Sequence, residues 1–285
     1  AYRMGLSGKG IGVAVLDTGI FLHRDFDSRV TGFADMVNRR NFAYDDCGHG
    51  THICGIIGGS GRMSGGRYSG IAPGCNLIMV KVLDRKGNGY SSDVLAGISW
   101  VLERKEQLGI RILNISVGAC SKRGMSENSA LVKGVNRAWD AGLVVVVAAG
   151  NNGPRTMSIT TPGISRKVIT VGCSDDDREV LVGGNRMVDY SGRGPTAACI
   201  CKPDLVAPGC SVVSCSSRAD KYTIKSGTSM STPIVSGAIA LLLERFPDMS
   251  NKDVKLRLRE SSVDIGLPRN QQGWGLLDVG KMIGK

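Results

Sequence analysis

The sequence predicts an α/β protein with a doubly wound, mostly parallel central sheet and helices on both faces of that sheet. Short runs of apolar, β-branched residues alternate along the chain with longer helical stretches, and several of the short runs are apolar throughout. Strands that are buried on both faces belong to parallel sheets that helices cover from each side. Of the 285 residues, 42% are hydrophobic, which suffices for a buried core and excludes general disorder. No linker or repeat divides the chain, so we expect a single domain over residues 1–285.

The individual elements follow from local patterns. Apolar runs predict strands at residues 11–16, 77–83, 110–115, 143–149 and 168–171. Helical patterns and their end signals predict helices at residues 92–106, 126–141 and 250–261. Residues 234–246 are rich in apolar residues around the whole circumference, which predicts a helix buried in the centre of the domain. Pro233 fits this helix only in its first turn, so the helix is expected to begin near Ser229.

Charge and hydropathy exclude two classes of partner. Lys and Arg number 36 against 25 Asp and Glu, a net charge of +11, but the basic residues are scattered and aromatic residues make up only 5%. Nucleic-acid surfaces combine clustered basic residues with stacking aromatic residues, so we expect no nucleic-acid partner. No apolar run approaches the roughly 20 residues that a membrane helix needs. The first residues show no signal-peptide pattern, and we expect a soluble protein with no membrane association.

Cysteine usage bears on the compartment. The nine cysteines are an odd number with no repeated spacing, which excludes a complete disulfide framework. Six of them lie in apolar or strand-like surroundings and are predicted to be small buried hydrophobic residues, namely Cys75, Cys173, Cys199, Cys201, Cys210 and Cys215. Free thiols weakly favour a reducing, cytoplasmic compartment. Secretion stays open, and the sequence leaves the localisation unassigned.

Polar residues end or follow three of the predicted strands, at Asp17, Ser116 and Asn151. Ligands bind beyond the carboxyl ends of the strands in open parallel sheets, so these residues mark a candidate site. The chain has only three histidines, of which His49 begins a glycine-punctuated helical segment. Ser229 starts the buried helix, where backbone N–H groups favour negative charge. Acyl transfer needs a nucleophile, a base and a group that orients the base, which Ser, His and Asp supply, and Asn151 is a candidate donor to the oxyanion.

Four segments that contain these residues resemble the signatures of the subtilisin-like serine proteases, the subtilases of peptidase family S8, in their bacterial form. They are residues 15–19 (VLDTG), 49–52 (HGTH), 148–151 (AAGN) and 227–233 (GTSMSTP), in the chain order of that family. Further similar segments are residues 81–84, 114–118 and 202–209. The resemblance covers essentially the whole chain and implies a subtilisin-like fold in which residues 1–285 form one peptidase catalytic domain.

The resemblance implies a serine endopeptidase that forms an acyl-enzyme on Ser229. His49 is then the general base and acid, Asp17 orients His49, and the Asn151 side chain together with the Ser229 backbone N–H forms the oxyanion hole. Substrates are expected to bind as extended peptides, against residues Gly87, Asn88, Gly89, Ser116, Val117, Gly118, Ala148, Ala149, Gly150 and Thr160. Thr160 stands where many relatives have glycine on the floor of the primary specificity pocket, which predicts a shallower pocket.

The resemblance also sets expectations for cofactors and processing. It implies that catalysis requires no cofactor. Residues 58–69, where many relatives have an asparagine-rich calcium loop, contain no carboxylate, whereas calcium sites usually include several. We therefore expect that calcium site to be absent, and structural calcium elsewhere stays open. Relatives are usually made with an N-terminal propeptide, so we expect such a segment upstream of these residues as a further, intramolecular partner.

Two other interpretations compete with a protease. Cys47, His49, His52 and Cys54 offer two thiols and two imidazoles within eight residues, a ligand set that zinc accepts, although the spacing matches no common zinc module. Without zinc, Cys54 is predicted to be a core residue and His52 a hydrogen-bonded structural histidine. The other interpretation is a catalytically inactive relative that acts as a binding module. Such relatives usually lack a member of the triad, and here all three residues are present.

Overall fold

The structure, a computed structural model, describes residues 4–118 and 127–284. These residues divide into two units. The first contains the chain up to Asn114 together with Val213–Ile224 and Ser236–Asp248, and the second contains Ile115–Val212, Lys225–Val235 and the chain from Met249 onward. Each unit therefore collects separate stretches of sequence, which local patterns cannot delimit.

The strands of the first unit run in the spatial order β2 (Val30–Asp35), β3 (Asn76–Lys81), β1 (Gly12–Asp17) and β4 (Ile110–Ile115). Strand β3 pairs in parallel with both β1 and β2. Every residue of β1 is buried, as expected of a strand that is covered on both faces. Asp17 is paired with Lys81 in the register of β1 and β3, so the carboxyl ends of these two strands place polar side chains at one edge of the sheet.

Two helices of the first unit, α1 (His49–Gly58) and α2 (Ser91–Arg104), pack against β1. Glycine allows α1 to approach the turn that follows β1, because a Cβ atom at Gly50 would lie 2.2 Å from the carbonyl oxygen of Gly19. A short 3-10 turn, Arg62–Ser64, follows α1 in the chain. Strands β10 (Val212–Cys215) and β11 (Tyr222–Lys225) form a separate two-stranded sheet.

In the second unit, β5 (Val144–Ala148), β6 (Ile169–Cys173) and β9 (Leu205–Ala207) lie side by side in parallel, and all of their residues are buried. Strands β7 (Val180–Val182) and β8 (Asn185–Met187) form an antiparallel hairpin. Helix α3 (Ala130–Asp140) packs against β5. The remaining helices of the chain are α4 (Thr228–Arg245), α5 (Asn251–Ser261), α6 (Arg269–Gln272) and α7 (Val279–Met282).

The predicted strands and helices are present, with small shifts at their ends. The strand predicted at residues 77–83 ends at Lys81, because the N–H groups of Val82 and Leu83 both bond to the carbonyl oxygen of Asp17 and the chain turns there. Ser250 caps α5 in a reciprocal capping box with Asp253. The predicted start of the helix at residue 126 lies outside the described residues, and α3 begins at Ala130.

Two of the parallel strands, β2 and β9, were not predicted, for different reasons. Strand β2 contains Gly32 and is mostly half-buried, so it has no continuous apolar pattern. Strand β9 has only three residues, fewer than periodicity can identify. Across the described ranges, no helix is long and apolar enough to cross a bilayer.

The predicted burial of the cysteines is partly wrong. Cys75, Cys173 and Cys215 are buried as expected, whereas Cys199 and Cys201 are exposed and Cys210 is half-buried. Cys199 and Cys201 lie in a loop rather than in a strand, so no sheet covers them. Cys210 lies just beyond the end of β9, where cover is incomplete.

Candidate active site

In the first unit, a histidine and an aspartate meet at the end of β1. His49 Nδ1 lies 2.8 Å from Asp17 Oδ1 and 2.9 Å from Asp17 Oδ2. The Asp17 side chain is fully buried, while 23% of the His49 side chain is exposed. The N–H of Thr18 also donates to Asp17 Oδ1, at 2.7 Å. A carboxylate at Nδ1 fixes the imidazole in the tautomer that leaves Nε2 as a proton acceptor.

Asp45 holds the start of α1 against the turn that follows β1, a role that the sequence analysis missed. Its Oδ1 accepts from the Thr18 hydroxyl at 2.9 Å and from the Gly48 N–H at 2.7 Å. Its Oδ2 accepts from the N–H and the hydroxyl of Thr51. An aspartate a few residues before a helical segment is a capping signal, and this signal could have identified Asp45.

Lys81 is a second supporting residue, and it is fully buried. Its Nζ donates to the carbonyl oxygens of Thr18 and Leu83, at 2.6 and 2.8 Å, and to Asp46 Oδ1, at 2.7 Å. A buried lysine needs such partners because an unpaired buried charge is costly. The ammonium group therefore clamps the backbone directly after Asp17. In the sequence, residues 81–84 stand out only as one of the segments that carry the family resemblance, and nothing local indicates this role of Lys81.

In the second unit, Ser229 lies in the first turn of α4, which begins at Thr228. Its hydroxyl donates to the carbonyl oxygen of Ser116 at 2.7 Å. Gly227 precedes the helix with a φ of 137°, in a region that favours glycine. The N–H groups of a first helical turn have no intrahelical acceptor, so the backbone N–H of Ser229 is suited to bind an anion.

Asn151 is held by the residue before Ser229. Its Oδ1 accepts from the N–H and the hydroxyl of Thr228, both at 3.0 Å, and Thr228 Oγ1 in turn accepts from the N–H of Gly150 at 3.2 Å. Because the Asn151 amide oxygen accepts both hydrogen bonds from Thr228, the Asn151 Nδ2 group points away from Thr228 and can donate to a ligand. The second unit thus brings a hydroxyl, a helix N-terminus and an amide donor together.

Several predicted substrate-binding residues also meet in the second unit, around Thr160. A Cβ atom at Gly118 would lie 2.3 Å from Thr160 Oγ1, and one at Gly150 would lie 2.4 Å from Thr160 Cγ2. The Thr160 N–H bonds to the carbonyl oxygen of Ala149 at 2.9 Å, and the side chain is buried. The threonine side chain therefore fills the space between the two glycines. Ala148 and Ser116 are also buried, and Val117 is half-buried.

The predicted binding segment Gly87, Asn88 and Gly89 lies in the first unit as an exposed loop between β3 and α2. Asp84 closes this loop, because its N–H bonds to the carbonyl oxygen of Asn88 and its carboxylate accepts from the N–H groups of Asn88 and Lys86. The bond from Asn88, followed by that from Lys86, lowers the pKa of Asp84. The loop backbone is thus held in a defined shape and is accessible to a ligand.

The residues of the alternative zinc set have other roles in the structure. His49 Nδ1 bonds to Asp17, and His52 Nε2 lies 3.2 Å from the carbonyl oxygen of Thr223. His52 and Cys54 are fully buried, as the structural interpretation predicted. Burial raises the pKa of the Cys54 thiol well above its usual value, as expected of a cysteine in the core.

A family model described as the subtilase family matches residues 8–275. The serine protease AprX of Bacillus subtilis (strain 168) is 43% identical over a 274-residue alignment that covers 90% of this chain and 62% of AprX. Subtilisin DY of Bacillus licheniformis is 33% identical over 277 residues, which are 96% of this chain and 91% of that protein. The chain therefore spans less than two thirds of AprX and nearly all of subtilisin DY.

Solved structures show the same likeness. Sphericase superposes with a TM-score of 0.80 at 31% identity, covering 96% of this chain and 93% of sphericase. A cold-adapted subtilisin-like serine proteinase superposes with a TM-score of 0.76 at 29% identity, covering 96% and 88% of the two chains. These likenesses confirm the predicted fold class, a doubly wound, mostly parallel sheet with helices on both faces.

Proposed function

The chain belongs to the subtilase family of serine proteases, and from that premise we propose that it is an endopeptidase in which Asp17, His49 and Ser229 form the catalytic triad. The observation that carries this proposal is the pair of short contacts between His49 Nδ1 and the buried Asp17 carboxylate. That arrangement orients an imidazole base and holds its second ring nitrogen ready to accept a proton. Ser229 at the start of α4 supplies the hydroxyl that such a base would activate.

The proposed reaction proceeds through an acyl-enzyme. Ser229 Oγ attacks the carbonyl carbon of the scissile bond while its proton passes to His49 Nε2, and the carbonyl π electrons move to the oxygen. The resulting oxyanion accepts hydrogen bonds from Asn151 Nδ2 and the Ser229 N–H. The C–N bond then breaks as His49 returns the proton to the leaving amine. Water then attacks the acyl carbon while one of its protons passes to His49 Nε2. The bond between that carbon and Ser229 Oγ breaks as His49 returns the proton to Oγ, which releases the acid and restores Ser229.

Substrate binding is proposed to use backbone contacts on both sides of an extended peptide, with Gly87, Asn88 and Gly89 on one side and Ser116, Val117 and Gly118 on the other. Ala148, Ala149 and Gly150 would wall the primary pocket. The side chain of Thr160 occupies the space between Gly118 and Gly150. We therefore propose a pocket that accepts small side chains and excludes large aromatic ones.

Subtilases need no cofactor for catalysis, and none enters the proposed steps. Residues 58–69 contain no carboxylate, which supports the proposal that this segment binds no calcium. An N-terminal propeptide is proposed by analogy with the family, as the segment that assists folding and is then removed by self-cleavage. The substrates of the whole protein are likewise a proposal, namely proteins or peptides that can present an extended segment.

The experiment that tests this function is cleavage-site profiling on a peptide library with mass-spectrometric readout. The expected result is cleavage after small side chains by the wild-type protein and no cleavage by the Ser229→Ala variant. Cleavage that persists in Ser229→Ala would assign the activity to another residue or to a contaminant. Absence of cleavage by the correctly folded wild type, over a library that covers all side chains, would overturn the proposal in favour of an inactive binding module.

A further inference from the structure

Two thiols and a carboxylate converge in the second unit, at a place that the proposed peptidase mechanism does not use. Cys173 ends β6 and is paired in register with Ala207, which ends β9. Asp175 lies two residues beyond the end of β6, and Cys210 lies three residues beyond the end of β9. The two sulfur atoms and a carboxylate oxygen all lie within 4.8 Å of one another, and Cys173 Sγ is 3.1 Å from Asp175 Oδ1.

The polypeptide itself holds these three groups together. Asp175 Oδ1 accepts from the N–H of Gly209 at 2.7 Å and from the N–H of Cys210 at 3.1 Å. The N–H of Ser174 bonds to the carbonyl oxygen of Ala207 at 3.1 Å. The two loops are therefore tied to each other at several points. A site that is formed in this way loses little conformational freedom when it binds a ligand.

A buried tyrosine and a small apolar cluster complete the surroundings. Tyr190 is fully buried, and its hydroxyl lies 3.2 Å from Cys173 Sγ and 3.1 Å from Cys210 Sγ. Val182 and Met187 of the β7–β8 hairpin pack against the same cluster. Hydrogen bonds to ligating atoms orient them and tune their affinity for a metal. Cys210 is only half-buried, whereas Cys173 is buried, so an ion from solvent would enter the site past Cys210.

We propose that Cys173, Asp175 and Cys210 bind a thiophilic divalent cation of the Zn²⁺ type. Two thiolates and one carboxylate are ligands that Zn²⁺ accepts, with Zn–S distances of about 2.3 Å and Zn–O distances of about 2.0–2.2 Å. Two such bonds to a tetrahedral ion place their donor atoms about 3.6–3.8 Å apart, so donors that already lie within 4.8 Å of one another need to move by no more than about 1 Å to share an ion. The two thiols lose their protons to solvent when the ion binds, and the fourth position is left to water.

The proposed metal site adjoins the turn that precedes Ser229. The carbonyl oxygen of Gly209 accepts from the N–H of Gly227 at 3.0 Å, and the N–H of Ser211 donates to Ser226 Oγ at 2.9 Å. Cys210 thus lies between two residues that hold this turn. A bound ion would fix the 209–211 segment and, through it, the support of the turn. The site is independent of the peptidase proposal, because its ligands take no part in the catalytic steps.

Cobalt binding tests the site directly. The probe is Co²⁺, added to the fully reduced Ser229→Ala protein, which cannot digest itself and whose response does not depend on activity. We expect one equivalent of Co²⁺ to produce thiolate-to-cobalt charge-transfer absorption and one equivalent of Zn²⁺ to remove it. Absence of these bands at saturating Co²⁺, in protein whose circular dichroism is native, would overturn the proposal.

Variants locate the ion among the described cysteines. Cys210→Ala, at a half-buried position, is expected to abolish the charge-transfer bands while leaving the fold intact. Tyr190→Phe keeps both thiols and is expected to weaken Co²⁺ binding by about 10- to 100-fold. Cys199→Ser, at an exposed cysteine of the same unit, is the matched control and should leave the titration unchanged. Bands that survive in Cys210→Ala, or that disappear equally in Cys199→Ser, would place the ion elsewhere and contradict the assignment.

Discussion

The hydroxyl of Ser229 donates a hydrogen bond to the carbonyl oxygen of Ser116, with 2.7 Å between the two oxygens. Ser116 opens the segment that is proposed to bind the substrate backbone, so the proposed nucleophile contacts this segment directly. The proposed mechanism requires Ser229 Oγ to exchange this acceptor for His49 Nε2 before it attacks.

The oxyanion hole gives the first prediction. Replacing Asn151 with Ala or Asp is expected to lower kcat by about 10²–10³-fold and to change KM little, because the lost bond forms in the transition state. Asn151→Asp keeps the oxygen atoms that Thr228 contacts but lacks the N–H donor. Steady-state kinetics on a peptide substrate measures both variants. Near wild-type turnover in Asn151→Asp would show that the donor is dispensable.

The pocket gives the second prediction. Thr160→Gly removes the side chain that lies between Gly118 and Gly150, and the deeper pocket should raise kcat/KM for substrates with phenylalanine before the scissile bond, relative to alanine, by about 10- to 200-fold. Thr160→Val keeps the volume and removes only the hydroxyl, so it should retain the preference for small side chains. Matched peptide pairs provide the measurement. An unchanged ratio in Thr160→Gly would show that this threonine does not limit the pocket.

The capping residue Asp45 gives a prediction about stability. Asp45→Ala removes hydrogen bonds to Thr18, Gly48 and Thr51 and is expected to lower the free energy of unfolding by about 2 kcal/mol. Glu103→Ala, in an exposed ion pair with Arg104, is the control and should change it by less than about 0.5 kcal/mol. Urea unfolding in the Ser229→Ala background measures both. Equal effects of the two substitutions would refute the role of Asp45.

Lys202 gives a prediction about pH. Burial lowers the pKa of Lys202 from 10.5 to about 8, although its Nζ lies 2.5 Å from Asp204 Oδ2 and Lys255 contacts the other carboxylate oxygen. Between pH 8 and 10.5 the unfolded chain therefore binds more protons at this group than the folded chain does. The contribution of Lys202 to stability consequently rises with pH through this window and is lost as the pH falls below it.

The Lys202→Met variant isolates that contribution from the other groups that titrate in alkali. The difference in the free energy of unfolding between the parent protein and the variant is expected to change by ~3 kcal/mol across the window, in favour of the parent at high pH. Both proteins would carry Ser229→Ala. A difference that stays constant with pH would mean that Lys202 keeps its proton in the folded state.

The sequence was sufficient to predict the longer elements that are buried on both faces, whereas the three-residue strand β9 was missed. Strand β1, for example, is apolar up to Asp17 and fully buried, and the polar residue at its end predicts a candidate site. Helix α5 was equally clear, because its cap and capping box are local in sequence. Strand β2 has no such pattern, since its faces are half-buried and its place depends on pairing with β3.

Residues of the candidate site that depend on contacts between distant parts of the chain could not be predicted from the sequence. Lys81 supports the backbone next to Asp17 because β3 pairs in register with β1. The Lys81 side chain contacts Thr18, which is 63 residues away in the sequence, and no local pattern reveals such a contact. The same holds for Cys173, which is buried as predicted, and for Cys210, which is only half-buried. Both residues contact the Asp175 carboxylate beyond two strand ends. The signature segments predicted the chemistry of the site, and the supporting residues became apparent only from the fold.

The central claim is that Ser229 is a nucleophile that His49 activates, and covalent labelling tests it most directly. The folded protein is treated with a fluorophosphonate, and the modified peptide is identified by mass spectrometry. We expect stoichiometric phosphonylation of Ser229, no labelling in Ser229→Ala, and labelling that is slower by at least about 10³-fold in His49→Ala. Native protein in which Ser229 stays unmodified, or is modified equally fast without His49, would contradict the claim.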